Sequence, residues 1–338
     1  MTRGHDRLGW LLLATGMAAG LLAAASAAPT GAARSATTDQ TMPALAYNPH
    51  PDVQSFLLFW IEDRGAGFDI FAKRLFANGL PQGGPSDDGW RVLSASSGSA
   101  RGPQGPRADP SAAYNAARGE YLLVYSEVAD EEDGWDTFAV RVSAAGYARG
   151  SPRCLACGPG DQRRPDVAPI GNDAARSDDY LVVWEDDSRD IDEVWAMRVQ
   201  ANGIPRPPAY PLVRAPADAS DPTTNGSAVV WVDDRAGQSD LYLLRLRSGK
   251  ASGAEVRLTG SVLEEFNPRL SSDGLVWNVY HPLTGVDVMG VEIIENSLAR
   301  ADGAILVPAA DQLAPDMDQG VAVFADNRSG DFDLFAIR

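Results

Sequence analysis

Positive charge is scarce in this sequence. The 338 residues include 29 Lys and Arg against 46 Asp and Glu, which gives a formal net charge of −17 at pH 7. Nucleic-acid binding depends on clustered Lys and Arg that neutralise phosphates, and docking on an anionic membrane needs the same clusters. The composition therefore predicts a protein with no nucleic-acid partner, and it argues against docking on an anionic membrane surface.

Histidine is nearly absent. Of the 3 His, only His50 and His281 lie beyond the N-terminal segment. His50 stands between two prolines, and His281 precedes Pro282. Neither belongs to a G-x-S-x-G or H-E-x-x-H motif. A His-based catalytic triad or a zinc site is therefore not predicted.

Cysteine is limited to Cys154 and Cys157, which form a C-x-x-C pair. A thioredoxin-type site needs a helix after the first Cys, and c-type haem attachment needs His after the second. Here the surrounding residues are typical of a strand and a turn, and Gly158 follows the second Cys. The favoured interpretation is structural, either a local disulfide or two unpaired thiols.

Long apolar runs are missing except at the N-terminus. Arg3 and Arg7 precede an apolar stretch over residues 8–25, and Ala25-Ser26-Ala27 supplies small residues at cleavage positions. This pattern predicts a signal peptide over residues 1–27 and an exported protein, periplasmic or extracellular. A retained membrane anchor is the alternative. The remaining residues, 28–338, are predicted to form one domain.

What the chain has in abundance is an internal repeat. Residues 56–74 read FLLFWIEDRGAGFDIFAKR and residues 321–338 read VAVFADNRSGDFDLFAIR. Four similar copies lie between them, at residues 121–141, 180–198, 228–245 and 275–292, the last being the most degenerate. A proline opens a short segment before each copy, at Pro43, Pro110, Pro165, Pro222, Pro268 and Pro315. A period of about 40–50 residues is typical of the four-stranded blades of a β-propeller.

The fold class is therefore all-β, a six-bladed β-propeller. We name the strands of a blade A to D from the channel outward. Strand A is predicted to begin at the proline, and strand B is the apolar run, as blade stacking on both faces requires. The last copy ends without a strand D, and residues at about 33–38 resemble one in register, so we expect the N-terminus to complete the last blade and close the ring. Two sandwich domains are the alternative.

These repeats resemble those of TolB-like propellers and of uncharacterised exported bacterial proteins. The likeness rests on P-A-x-A-Y-N segments, as at residues 43–48, followed by Y-L-V-V-W-x-D and the turn D-x-R-x-G-x-x-D-I. It covers essentially residues 33–338. It implies a propeller and, in many relatives, a binding or scaffolding role, and it carries over no catalytic residues.

The acidic residues suggest a surface for a partner. Strands A and C run in the same direction, so the D–A loops and the B–C turns lie on one face of the disc, and most acids that we can place fall there. The predicted binding face comprises Asp63, Asp186, Asp233, Asp326, Asp130, Glu131, Glu132 and His281. For the repeated Asp residues, a structural role in the B–C turn is the favoured alternative.

Two classes of function remain. The leading hypothesis is a non-catalytic recognition or scaffold module, monomeric, that binds a cationic or cell-envelope ligand, with no cofactor except a role for Ca²⁺ left open. The alternative is a glycan-directed hydrolase, which needs two carboxylates at the central channel. Asp166 and Asp316 follow the strand A prolines, where blades 1 and 2 have Ala44 and Ser111.

Overall fold

The computed structural model describes residues 40–63, 68–82, 89–94, 107–130, 134–170, 179–189, 191–214, 218–283, 285–292, 304–305, 311–327 and 332–337. These residues contain strands and turns and no helix, hence no helix that could cross a membrane. The predicted signal peptide and the segment expected to complete the last blade lie outside the described residues.

In the ranges just given, twenty-four strands form six antiparallel sheets, which are the blades. Blade 1 contains β1 (Gln40–Asn48), β2 (Ser55–Asp63), β3 (Phe68–Phe76) and β4 (Trp90–Leu93). Blade 2 contains β5 (Arg107–Asn115), β6 (Glu120–Asp130), β7 (Gly134–Ser143) and β8 (Ala148–Ala156). Blade 3 contains β9 (Gln162–Pro169), β10 (Asp179–Asp186), β11 (Glu193–Gln200) and β12 (Pro205–Val213).

The other three blades are less regular. Blade 4 contains β13 (Ala219–Thr224), β14 (Ala228–Asp233), β15 (Asp240–Arg247), β16 (Lys250–Ala251) and β17 (Val256–Arg257). Blade 5 contains β18 (Glu264–Leu270), β19 (Gly274–His281), β20 (Gly285–Glu292) and β21 (Ala304–Ile305). Blade 6 contains β22 (Gln312–Asp318), β23 (Val321–Asp326) and β24 (Asp333–Ile337). Within each blade the described strands pair in chain order, except that β17 of blade 4 pairs with β15. The predicted six-bladed propeller is confirmed.

The core is divided among the six interfaces between blades. Strand B is buried on both faces, so its alternate side chains pack against different neighbours, as in Leu181 against blade 4 and Val182 against blade 2. The aromatic residue predicted to pack between blades does so in each case, against the preceding blade: Trp60, Tyr125, Trp184, Trp231, Trp277 and Phe324. Leu45 and Leu58 pack against Val321 and Val323 of blade 6, which closes the ring.

We predicted that strand A begins at its proline, and this prediction is wrong. The strand begins three or four residues earlier, and the proline sits inside a β-bulge where the pairing with strand B shifts register. A bulge suits proline, because proline has no N–H group to give to the ladder. The residue before each proline has a positive φ of 47–51°: Met42, Asp109, Arg164, Asp221, Asn267 and Ala314. Each bulge therefore turns the chain at the same level of the ring.

Cys154 and Cys157 form a disulfide, with their Cα atoms 6.1 Å apart. Cys154 lies in β8, and Cys157 follows the end of that strand. The bond closes a small local loop between blade 2 and the start of blade 3. Of the two structural interpretations of this pair, the local disulfide is the one that the structure has.

The bulge makes a prediction about side-chain size. Ala314 holds a φ of 47°, a conformation that is costly for a β-branched residue. Ala314→Val should lower the free energy of unfolding by about 1–2 kcal/mol, measured by chemical denaturation. The matched control is Ala251→Val, on the exposed strand β16, which should change it by less than about 0.5 kcal/mol. Equal effects of the two substitutions would contradict this account of the bulge.

Candidate functional site

A cavity of about 450 Å³ opens on the channel axis and is lined by all six blades. Its walls are the last residues of the inner strands and the A–B turns that follow them, including Tyr47, Tyr114, Asp166, Thr224, Ser271 and Asp318. The cavity therefore lies at the mouth formed by the A–B turns. Because strand A runs across the disc, this mouth is on the opposite face from the D–A loops and B–C turns.

Asp166 joins three blades from the wall of this cavity. Its Oδ1 accepts a hydrogen bond from the Ser111 hydroxyl at 2.5 Å. Its Oδ2 accepts one from the Thr223 hydroxyl at 2.8 Å and one from the Thr224 N–H at 2.6 Å. All three partners are donors, and the oxygens of Asp166 accept. Asp166 is thus fixed in place between blades 2, 3 and 4.

Two further carboxylates line the cavity from blade 6. Asp316 accepts a hydrogen bond from the Leu45 N–H at 2.6 Å and another from the Met317 N–H at 2.8 Å. Asp318 accepts one from the Tyr47 N–H at 2.7 Å. Asp166 and Asp316, the residues singled out in the sequence for a channel site, therefore both line one cavity, and Asp318 joins them there.

These contacts repeat at four of the six junctions between blades. There the N–H two residues after the strand A proline donates to the side chain that directly follows the proline of the preceding blade. At the other two junctions that residue is Ala44 or Arg269. Ser111 accepts from the Val167 N–H at 3.3 Å, and Thr223 accepts from the Leu270 N–H at 2.8 Å. Asp166 and Asp316 fill the same position. Serine and threonine thus make the bond that aspartate makes elsewhere in the ring.

The carboxyls of blade 6 are difficult to ionise. Burial raises the pKa of Asp316 to about 7, and the charge of Asp166 acts in the same direction, while Arg269 and the N–H groups of Leu45 and Met317 oppose the shift. Burial likewise raises the pKa of Asp318 to about 7, against the Tyr47 N–H. Near neutral pH the cavity therefore contains acids that gain or lose a proton.

A second level of the ring lies on the D–A side of the cavity. Glu185 accepts the Asp221 N–H at 3.1 Å and forms ion pairs with Arg163 at 2.6 Å and Arg164 at 3.0 Å. Arg164 also pairs with Asp221 at 3.0 Å.

Sequence reasoning missed Glu185, although a charged residue inside the apolar run of strand B is a signal that could have identified it. Ser126 and Asn278 occupy its position in blades 2 and 5 and accept the bulge N–H groups of Arg164 and Ala314.

The acids predicted for the opposite face are placed differently from one another. Asp186 and Asp233 are buried and accept hydrogen bonds from the indole N–H groups of Trp184 and Trp231 at 3.2 and 3.1 Å. Asp326 is also buried, at the end of β23. These contacts agree with the structural role that we favoured for the repeated Asp residues.

The remaining predicted residues add little to that face. His281 ends β19, and its Nδ1 accepts the Leu283 N–H at 3.3 Å. Asp63 and Asp130 end β2 and β6, and their side chains lie outside what the structure describes, as do Glu131 and Glu132 entirely. Within the described ranges, no three His, Cys, Asp or Glu side chains are grouped to hold a metal ion. The Ca²⁺ hypothesis stays a prediction.

Acids of the D–A loops have a repeated structural contact as well. Two of them, Asp161 and Asp311, accept a hydrogen bond from the N–H of the second residue of strand C in the preceding blade. Asp161 accepts it from Trp135 at 3.0 Å, and Asp311 accepts it from Val286 at 3.1 Å. These bonds join D–A loops to B–C turns, so the two kinds of loop share one face, as predicted. Much of the negative charge on that face is already bonded within the protein.

The inter-blade bonds predict the effect of removing one hydroxyl. Thr223→Val leaves the Leu270 N–H without its acceptor and Asp166 without one donor, in a fully buried position. It should lower the free energy of unfolding by about 1–3 kcal/mol, measured by urea denaturation. Thr223→Ser retains both bonds and is the matched control, with a loss below about 1 kcal/mol. A valine variant as stable as the serine variant would contradict the proposed role of the hydroxyl.

The raised pKa values predict a pH dependence of stability. Between about pH 4 and pH 7 the folded protein holds protons on Asp316 and Asp318 that the unfolded chain releases, so these groups lower the free energy of unfolding as pH rises through that window. Asp318→Asn should remove part of this dependence. In chemical denaturation, the free energy of unfolding of the variant should exceed that of wild type by more at pH 8 than at pH 5. A larger difference at pH 5 would contradict the predicted direction of the pH dependence.

No protein-family model matches this chain. No curated protein matches it either. Among solved structures it is similar to the protein from Agrobacterium tumefaciens described as a putative TolB, with 14% identity, a TM-score of 0.48 and coverage of 80% of this chain and 90% of that one. It is also similar to the GH43 endo-arabinanase from Bacillus licheniformis, with 13% identity, a TM-score of 0.49 and coverage of 77% and 96%.

A third similar structure is the neuraminidase-like protein from A/bat/Guatemala/164/2009, with 9% identity, a TM-score of 0.51 and coverage of 88% of this chain and 87% of that one. At such identities the likeness concerns the fold alone. The predicted resemblance to propeller proteins is therefore confirmed for the fold, and the specific repeat motif stays a prediction. This chain is a six-bladed β-propeller whose candidate site is the channel cavity at the A–B mouth.

Proposed function

We propose that this chain is a non-catalytic recognition propeller, and that it binds a ligand carrying a protonated amine in the cavity at the A–B mouth. The observation that carries the proposal is the presence of Asp166, Asp316 and Asp318 in one cavity of about 450 Å³. Asp166 and Asp316 make an inter-blade bond that Ser111 and Thr223 make without charge. Ring assembly therefore does not require carboxylates here, and their extra charge is available to a cation.

The remaining lining residues indicate the size and polarity of the ligand. Tyr47 and Tyr114 stand on the wall, with hydroxyls and an amide nearby from Ser227, Ser271, Ser272 and Asn225. Aromatic faces attract ammonium groups, and hydroxyls exchange hydrogen bonds with sugar or peptide groups. A lysine side chain of a peptide and an amino sugar of a cell-envelope glycan share this chemistry. Either fits a cavity of this volume.

Binding is favoured over catalysis by how the carboxylates are held. Both oxygens of Asp166 accept hydrogen bonds, and both oxygens of Asp316 do so too. A nucleophile or general base needs an oxygen aimed at the substrate. A carboxylate that is already bonded can still attract a cation through its remaining lone pairs.

The acidic face of D–A loops and B–C turns, our first expectation, has less support as the binding surface. Asp186 and Asp233 there are buried against tryptophan N–H groups, and Asp161 and Asp311 are bonded to backbone amides. The A–B mouth offers a concave site instead, and small ligands bind mostly in concave sites.

Export is part of the proposal. The N-terminal residues have the pattern of a signal peptide, and the Cys154–Cys157 disulfide suits an oxidising compartment outside the cytosol. A ligand from the cell envelope or the medium would meet the protein there.

A glycan-directed hydrolase is the second candidate. It is supported by the pKa of Asp316, raised to about 7 by burial, in the same cavity as Asp166. Glycoside hydrolysis uses a carboxylic acid of raised pKa together with a second carboxyl group. Turnover of a glycan, lost in both Asp166→Asn and Asp316→Asn, would favour this candidate over pure binding.

The binding proposal predicts a charge-dependent and pH-dependent affinity. Isothermal titration calorimetry with a lysine-containing peptide and with a chitosan oligomer should give saturable binding of at least one. Asp318→Asn should weaken that binding about tenfold, the effect of losing one charge-assisted hydrogen bond. The cation prefers ionised carboxylates, and a lysine amine, with a pKa of about 10.4, stays protonated between pH 6 and pH 8. Wild-type affinity for the lysine-containing peptide should therefore rise between pH 6 and pH 8.

Asp234→Asn is the matched control, since it removes the same charge from an exposed position in a B–C turn on the opposite face. It should bind as wild type does. No binding of either ligand at pH 8, or equal weakening by the two variants, would overturn the assignment of the site to this mouth.

A further inference from the structure

A second cavity, of about 160 Å³, lies in the groove between the outer parts of blades 2 and 3. Its walls include three arginines, Arg141 of β7 and Arg149 and Arg153 of β8. Ser151, Asn202 and Gly203 complete the polar part of the lining. In a chain with a net charge of −17, a cavity walled by arginine is unexpected.

The same groove is closed in the flanking pairs of blades. Trp90, Arg153 and Tyr210 occupy one repeated position on strand D, paired with Ala72, Ala139 and Ala196 respectively. In blade 1, the Trp90 indole N–H donates to the Gly146 carbonyl of blade 2 at 2.8 Å.

Blade 3 closes its groove in the same way, because the Tyr210 hydroxyl donates to the Gly249 carbonyl of blade 4 at 2.5 Å. Both glycines lie in the turn between strands C and D, where Gly203 is the residue of blade 3. An aromatic side chain thus spans the groove between blades 1 and 2 and the groove between blades 3 and 4. In blade 2 the position holds Arg153, which is exposed, and the groove stays open.

The arginines around this groove share too few acids to be neutralised. Glu120 contacts Arg141 at 2.6 Å, Arg149 at 3.5 Å and Arg118 at 3.8 Å. Arg153 has no ion pair within the part of the chain that the structure describes. Four arginines and one carboxylate leave a local excess of positive charge.

Blade 3 has a smaller cluster of the same kind, with two arginines and one carboxylate. There Asp179 contacts Arg198 at 2.8 Å and Arg206 at 3.0 Å, at the positions of Arg141 and Arg149. Its third position is the uncharged Tyr210, which closes the groove. The repeated ion pairs between one acid and the arginines of strands C and D therefore have a structural role. Arg153 takes no part in such a pair, and this role does not explain it.

We propose that the groove between blades 2 and 3 is a binding site for a phosphate group, either free phosphate or a phosphomonoester on a larger ligand. Guanidinium groups match the geometry of phosphate oxygens, and Arg149 and Arg153 are both on the exposed outer strand with N–H groups to offer. The cavity has the volume of about five water molecules, enough for a phosphate group. This site is independent of the proposed amine site at the A–B mouth.

The test uses the whole mature chain and two probes, inorganic phosphate and glycerol 3-phosphate, titrated by isothermal calorimetry in a chloride buffer. Wild type should bind at least one probe saturably. Arg153→Tyr gives blade 2 the aromatic residue type that closes the groove in blade 3. Arg153→Ala removes the guanidinium group without filling the groove. Both should weaken binding about tenfold or more. Binding of both probes would identify the phosphate group itself as the ligand, and binding of the ester alone would identify a phosphomonoester.

Arg206→Gln is the matched control, because it removes one arginine from the corresponding cluster of blade 3, where Tyr210 closes the groove. It should bind phosphate as wild type does, and thermal unfolding should show all variants folded. The proposal is overturned if wild type binds neither probe, if Arg153→Ala binds as wild type does, or if Arg206→Gln weakens binding as much as Arg153→Ala.

Discussion

Among the described strands, each blade has an inner strand with one edge that no other strand pairs, and the N–H groups of that edge face the centre of the ring. A buried N–H without a partner costs about 1–3 kcal/mol, so the N–H groups that are buried along this edge need acceptors. The preceding blade supplies them at two levels, through residues such as Thr223 beside the cavity and Glu185 beside the bulge. Polar side chains at the middle of apolar sheets therefore hold neighbouring blades together.

This requirement can be met by several residue types, and the choice among them has chemical consequences. A hydroxyl serves at Ser111 and Thr223, whereas the aspartates at Asp166 and Asp316 add a charge that burial makes costly. One step closer to the mouth, Asp318 occupies a position where the other blades have Ala46, Ala113, Ala168, Asn225 and Ser271. Assembly of the ring does not require carboxylates at these positions, yet all three line one cavity. For this reason we propose that the binding site lies at this mouth.

The fold was predictable because its signals are repeated. The strand B aromatic and the proline recur in each of the six blades, and the turn acid recurs in all but blade 5. Six such copies along the chain indicate a propeller. The bulge was not predictable, since nothing in a residue such as Met42 before Pro43 announces a positive φ. The position of the site was only half predictable. Asp166 and Asp316 stand out in the sequence as acids at strand A, but which acids are bonded to amides depends on contacts between blades, as for Asp161 with Trp135.

Departures from the repeat carry more functional information than the repeat itself. A residue present in every blade, such as the strand B aromatic, is explained by packing that every blade needs. Arg153 stands where its neighbours have Trp90 and Tyr210, and the aromatic contact to the next blade is missing there. Because blades 1 and 3 close this groove with an aromatic residue, the open, positively charged groove of blade 2 requires an explanation other than stability. Recognition of an anion at this groove and of a cation at the channel mouth would let one acidic propeller contact a ligand, or two ligands, of both charges.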